Sequence, residues 1–121
     1  MPMMDIGTQP RPVDLAHLAC YTGGDAALNV EVLDLFRGQA KQLLENLGAA
    51  LEGGDAKTWR ETAHGIKGAA RGIGAFAMAD AAATVEQIDP AREPRPAAAA
   101  LSALASKARA VEDFIGGYIG R

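Results

Sequence analysis

The stretch AHGIKGAARGIGA, residues 63–75, decides how the rest of the chain reads. Counting back to Trp59, the apolar positions Trp59, Ala63, Ile66, Ala70 and Ile73 recur at alternating steps of four and three. That is the period of one helix face, so the spacing predicts a helix over about 56–71 with a continuous core stripe. Gly72 and Gly74 interrupt it. Beyond them, Met78, Ala81, Ala82, Val85 and Ile88 share one side of a further helix expected at about 75–88. The proline-rich DPAREPRP, residues 89–96, ends that helix, because the residue before a proline is driven out of the helical region. His64 follows Ala63 directly and so lies about 100° around the helix from the core stripe. That puts it on the flank or surface, among unusually small neighbours.

Working outward, the same period recurs. A long helix is expected over about 26–52, with Val32, Phe36, Leu43, Leu47 and Leu51 near one stripe and Leu33, Leu35, Ala40, Leu44 and Ala50 widening it. Asp25 and Asp55 stand where N-caps belong, and Gly53 and Gly54 suit the stop between two helices. VDLAHLACY, residues 13–21, has room for a two-turn helix before TGGD. A last helix begins near Pro96, its seam formed by Leu101, Leu104, Ala108, Val111, Ile115 and Tyr118. Strand alternation is almost absent. The fold class is therefore all-α: an antiparallel four-helix bundle with a short extra N-terminal helix. Residues 1–12 read as a flexible lead-in and residues 13–121 as one domain.

Composition narrows the function. Of 121 residues, 49% are apolar, much of that alanine, which suits closely packed helices. A net charge of −3 gives no electrostatic footprint for nucleic acid. No run of 18 apolar residues suggests a membrane span, and the N-terminus lacks the basic start and apolar run of a signal peptide. Cys20 is alone, so no intramolecular disulfide forms; it is expected as a small buried or half-buried residue. A cytoplasmic location follows as the default. His17 is expected at the surface of the short helix, and nothing at ligand spacing joins it to His64, so no metal site is expected. A kinase is disfavoured: no Walker-type loop occurs, and Gly72 and Gly74 lack the strand–loop–helix context of a nucleotide site.

The neighbours of His64 on its own face are Arg60, Glu61, Lys67 and Gly68, with Arg71 a turn beyond. Glycine costs about 1 kcal/mol relative to alanine inside a helix, so a purely structural helix has little reason to hold both Gly65 and Gly68. Their missing side chains lower the steric cover over the imidazole. Imidazole ordinarily titrates near 6.5, so its neutral, nucleophilic form is well populated at physiological pH. A phosphorylated imidazole would carry negative charge beside Lys67, in a field that Arg60 and Arg71 make more favourable to anions. Glu61 is a candidate to orient the ring by accepting from its protonated nitrogen.

Read as a whole, AHGIKGAARGIGAFAMADAAATVE, residues 63–86, resembles the signature of histidine phosphotransfer (HPt) domains. The matching positions are His64, Lys67, Gly68, Ala69, Gly74, Ala75 and Glu86, and the likeness extends over roughly residues 13–118. The resemblance implies a four-helix bundle that carries a phosphoryl group on an exposed histidine, to or from receiver-domain aspartates, and does not hydrolyse ATP. Carried over by position, His64 is the phosphoacceptor, Lys67 the charge partner and Gly68 the access position. Gly74 and Ala75 match a pair that lets the next helix pack close. Phe36 matches a hydrophobic position of the second helix, in the core or on the rim of the docking face. Expected partners are receiver domains of response regulators and hybrid histidine kinases, with no nucleic acid and no membrane. A monomeric, stand-alone phosphocarrier without kinase activity is expected. It needs no cofactor of its own, and a divalent metal such as magnesium would come with the receiver. The alternative is a helical adaptor that docks receiver or kinase domains without being phosphorylated.

Overall fold

Each of the first three helices starts on an aspartate, in a computed structural model that describes residues 11–120. The Asp14 carboxylate accepts from the backbone N–H of Ala16 and His17 and opens α1, Leu15–Thr22. Asp25 accepts from the Leu28 N–H to open α2, Ala26–Gly53, and Asp55 from the Thr58 N–H to open α3, Ala56–Gly72. These contacts satisfy N–H groups that have no partner inside the helix. Left-handed glycines, Gly23 and Gly54, close α1 and α2, as their freedom at positive φ allows. α4 covers Phe76–Glu86 and α5 covers Pro94–Ile119.

Two boundaries differ from expectation. α4 stops at Glu86 because Gln87 and Ile88 donate three residues back, to the carbonyls of Thr84 and Val85, tightening the last turn. α5 begins at Pro94, two residues before Pro96. Both prolines fall in the first turn, where a missing N–H costs nothing.

Packing contacts run α2–α3, α3–α4, α4–α5 and α2–α5, a closed ring of four with short connections, while α1 rests on α2. Among the described residues there is no strand. The stripe read from the sequence is the core: Trp59, Ala63, Ile66, Ala70 and Ile73 are all buried, as are Leu33, Leu47, Met78, Ala82, Val85, Leu104 and Ile115. The Trp59 indole N–H donates to the Val85 carbonyl at 2.9 Å, pinning the end of α4 to the start of α3. At the other end, the Thr22 hydroxyl donates to Asn29 Oδ1 at 2.6 Å and Asn29 Nδ2 donates to the Tyr118 hydroxyl at 3.1 Å. That chain staples α1, α2 and α5 together.

α1 also docks through its leading edge. The Asp14 N–H donates to the Gly74 carbonyl at 2.9 Å. Gly74 has φ +82°, and a Cβ there would stand 2.7 Å from the Asp14 carbonyl oxygen. The close approach at Gly74 is thus by the segment leading into α1, whereas the resemblance implied the next helix. His17 is half-buried rather than at the surface, edge-on to Phe76 and Tyr21. Cys20, expected buried or half-buried, is exposed, because it follows Leu18 and Ala19 round to the outer side of a helix that buries only one narrow stripe. Residues 1–10 of the expected lead-in lie outside the described residues. Among the described residues, no helix is long and apolar enough to cross a membrane.

Candidate functional site

α3 turns its core stripe inward and leaves the His64 side chain 69% exposed, midway along the helix. Lys67 lies about −60° from His64 around the axis, on the side facing α4, and its side chain leans back toward the preceding turn. Trp59 and Val85 hold the end of α4 beside this spot, so Glu86, the next residue, reaches across. Its carboxylate divides between two partners: Oε2 lies 3.0 Å from His64 Nδ1, and Oε1 accepts from Lys67 Nζ at 2.7 Å. The Glu86 and Lys67 side chains are mostly buried, in contrast to the imidazole.

The hydrogen bond from Lys67 holds the Glu86 carboxyl below the usual carboxylate range; the His64 contact adds to this and partial burial opposes it. An ionised carboxylate only accepts hydrogen bonds, so the proton of a neutral His64 belongs on Nδ1. Nε2 then carries the free lone pair.

Glu61 does not make this contact. It pairs with Lys57 at 4.0 Å, one turn earlier. Helical side chains lean toward the N-terminus, which carries Glu61 away from His64. It also sits about +60° from the histidine, on the side turned away from α4. Glu86 was visible in the sequence only as the glutamate ending the next helix of the family pattern; its partner is 22 residues away.

The other residues singled out fall around this triad. A Cβ at Gly65 or Gly68 would meet nothing within 4 Å, so both positions open onto free space beside the imidazole. Arg60 lines a small polar hollow with Glu86, Gln87 and Asp89. Arg71 is exposed in the last turn of α3 and remains apart from the triad. Phe36 is buried at 5% exposure and lines an apolar groove of about 330 Å³. Tyr21, Val32 and Leu35 form one side of that groove, and Ala69, Gly72 and Ile73 the other. Leu35 and Tyr21 are 74% and 68% exposed, an unusual state for large apolar side chains beside one another. Gly68 and Gly72 turn about +40° and +80° from His64, so the groove runs beside the imidazole on the side away from Glu86.

The bundle thus presents, at the middle of one helix, an exposed imidazole held by a carboxylate and accessible to a docking partner. Residues 31–115 match the family model described as Hpt domain, and the chain belongs to that family. Its fold is similar to the crystal structure of histidine-containing phosphotransfer protein B (HptB) from Pseudomonas aeruginosa PAO1. The TM-score is 0.83 at 26% identity, with 93% of this chain and 98% of that one covered. No curated protein matches the chain by sequence. The role is that of a phosphorelay histidine phosphotransfer protein. Proteins of this family are phosphocarriers, not ATPases, and work with receiver domains.

Proposed function

We propose that His64 is the phosphoacceptor and that Nε2 is its reacting atom. The observation that carries this is the contact of an ionised Glu86 with Nδ1, on an imidazole otherwise open to solvent. The Nε2 lone pair attacks the phosphorus of a receiver's aspartyl phosphate. A bond forms from Nε2 to phosphorus, the bond from phosphorus to the aspartyl oxygen breaks, and the aspartate leaves as a carboxylate. Nδ1 keeps its proton throughout, and the positive charge that develops on the ring is balanced by Glu86. Reversal returns the group to a receiver aspartate by the same atoms.

Lys67 is at hand for the phosphoryl oxygens and is held there by Glu86. Gly65 and Gly68 keep the approach clear. The apolar groove from Tyr21 to Ile73 offers the partner a docking surface beside the reacting nitrogen, with Phe36 in its lining. Arg60 and Arg71 supply positive charge toward the acidic centre of a receiver. The divalent metal for the chemistry, such as magnesium, belongs to the receiver. We read the protein as a cytoplasmic monomer without kinase activity of its own.

The test is incubation with a phosphorylated receiver. An acid-labile phosphoramidate should form on His64 and should be missing from a His64→Gln variant of unchanged helicity. Full transfer to that variant would refute the assignment.

A further inference from the structure

A second groove lies on a different side of the bundle. It has a volume of about 300 Å³ and is lined only by α2 and α5. His64, Lys67 and Glu86 lie on α3 and α4, so the groove takes in none of the reactive triad. Small residues line it, Ala40 on α2 and Ala105 and Ala108 on α5, together with Leu44 and Val111. Its length, residues 105–115 of α5, is about 15 Å at 1.5 Å per residue.

Charge distinguishes this groove from the one beside His64. Arg37, Lys41 and Arg109 stand on its rim, and Glu112 is the one acidic residue lining it. Arg37 takes up that acid at 3.5 Å and also bonds Asp34. Lys41 and Arg109 are exposed and carry no ion pair among the described residues. A chain of net charge −3 thus holds an apolar trough flanked by two exposed cations that form no ion pair among the described residues, one on each helix.

We propose that this groove docks an acidic amphipathic helix of a partner protein, on a face that leaves the phosphotransfer site accessible. Apolar side chains at i, i+3 and i+7 of such a helix span about 10 Å and fit the trough, where the lining alanines are short. Acidic residues flanking that stripe meet Lys41 and Arg109. Helix-in-groove recognition uses this pairing of an apolar stripe with charged borders. A partner held this way would keep the carrier near a relay component without blocking His64.

The experiment uses the full chain and a fluorescein-labelled 18-residue synthetic helix with leucines at that spacing, bordered by glutamates. Binding is read by anisotropy and mapped by amide chemical shifts. Saturable binding is expected, with shifts at residues 37–44 and 105–115; Phe36 lines both grooves and does not discriminate between them. The Lys41→Glu/Arg109→Glu double variant should weaken it about tenfold, as should a peptide with lysine for glutamate. Ala108→Leu, which fills the trough, should abolish it. If that variant misfolds, the exposed charge pair still decides the matter. Transfer to His64 should be unchanged in the charge variant. The proposal is overturned by absence of saturation up to about 1 mM, by equal binding of the basic peptide, or by shifts confined to the groove of Tyr21 and Leu35. It is also overturned if the charge variant loses transfer. Self-association of the wild type that Ala108→Leu removes would assign the groove to a second copy and equally overturn it.

Discussion

Replacing Gly68 by alanine separates stability from access. Gly68 is helical, with no positive φ, and a Cβ built there meets nothing within 4 Å. The free protein therefore has room for the methyl group. Alanine in place of an interior helical glycine gains about 0.5–1 kcal/mol. For a chain of this size that raises Tm by about 2–4 °C. The same gain is expected at Gly38, also helical and open, on α2. The two substitutions should part company in transfer. A Cβ at residue 68 tilts toward the turn that carries His64, into the space a receiver needs to bring phosphorus within about 3–3.5 Å of Nε2. Displacement of reacting atoms by about 1 Å costs up to about 100-fold in rate, so Gly68→Ala should lose about tenfold or more, and Gly68→Gln nearly all transfer. Thermal melts and single-turnover transfer from a phosphorylated receiver measure both quantities. Gly68→Ala with raised Tm and undiminished transfer would show that the glycine is not kept for access. A lowered Tm would show that the space is not open.

The Glu86 contact has its own signature. Nitrogen chemical shifts should show the Nδ1–H tautomer of His64 in the wild type and lose that preference in Glu86→Ala. Because the folded-state carboxyl titrates below its ordinary range, Glu86 contributes stability above the unfolded value near pH 4.3 and loses it as pH falls through the lowered folded value. The difference in urea midpoint between wild type and Glu86→Gln should accordingly shrink as pH falls below about 4.3 and through the lowered folded value. Trp59→Phe removes the indole donor to the Val85 carbonyl and should cost about 1–3 kcal/mol in urea melts, with weakened His64–Glu86 coupling in the same tautomer spectra. Gly74→Ala sets a side chain at φ +82° against the Asp14 carbonyl. It should cost about 1–3 kcal/mol and raise hydrogen exchange in residues 14–22 selectively.

How much of this was legible depended on whether the cause was local. Helix positions follow from apolar period and from caps that act within a few residues, so Asp25 and Asp55 marked their helices and Trp59 to Ile73 marked the buried face. The exposure of His64 followed too, since it needs only an angle from that stripe. Glu61 was a reasonable orienting candidate on the same criterion, because three residues apart on a helix means neighbouring. It failed through side-chain direction, a finer property than spacing. By spacing Leu35 widens the core stripe, yet it is 74% exposed, since α2 is long and its buried arc is set by the helices that flank it.

The amino-acid sequence by itself determined the four amphipathic helices, the buried stripe of α3 and an imidazole left bare by two glycines, because each is a consequence of periodicity along one helix. The tertiary structure alone decided which carboxylate holds that imidazole. Glu86 reaches His64 and Lys67 only because α4 packs on α3 with its end pinned by Trp59. It likewise decided that Gly74 accommodates the chain entering α1, and that alanines on α2 and α5 line one groove. Those outcomes rest on how one helix is rotated and placed against another, and the period of a single helix carries no information about that rotation.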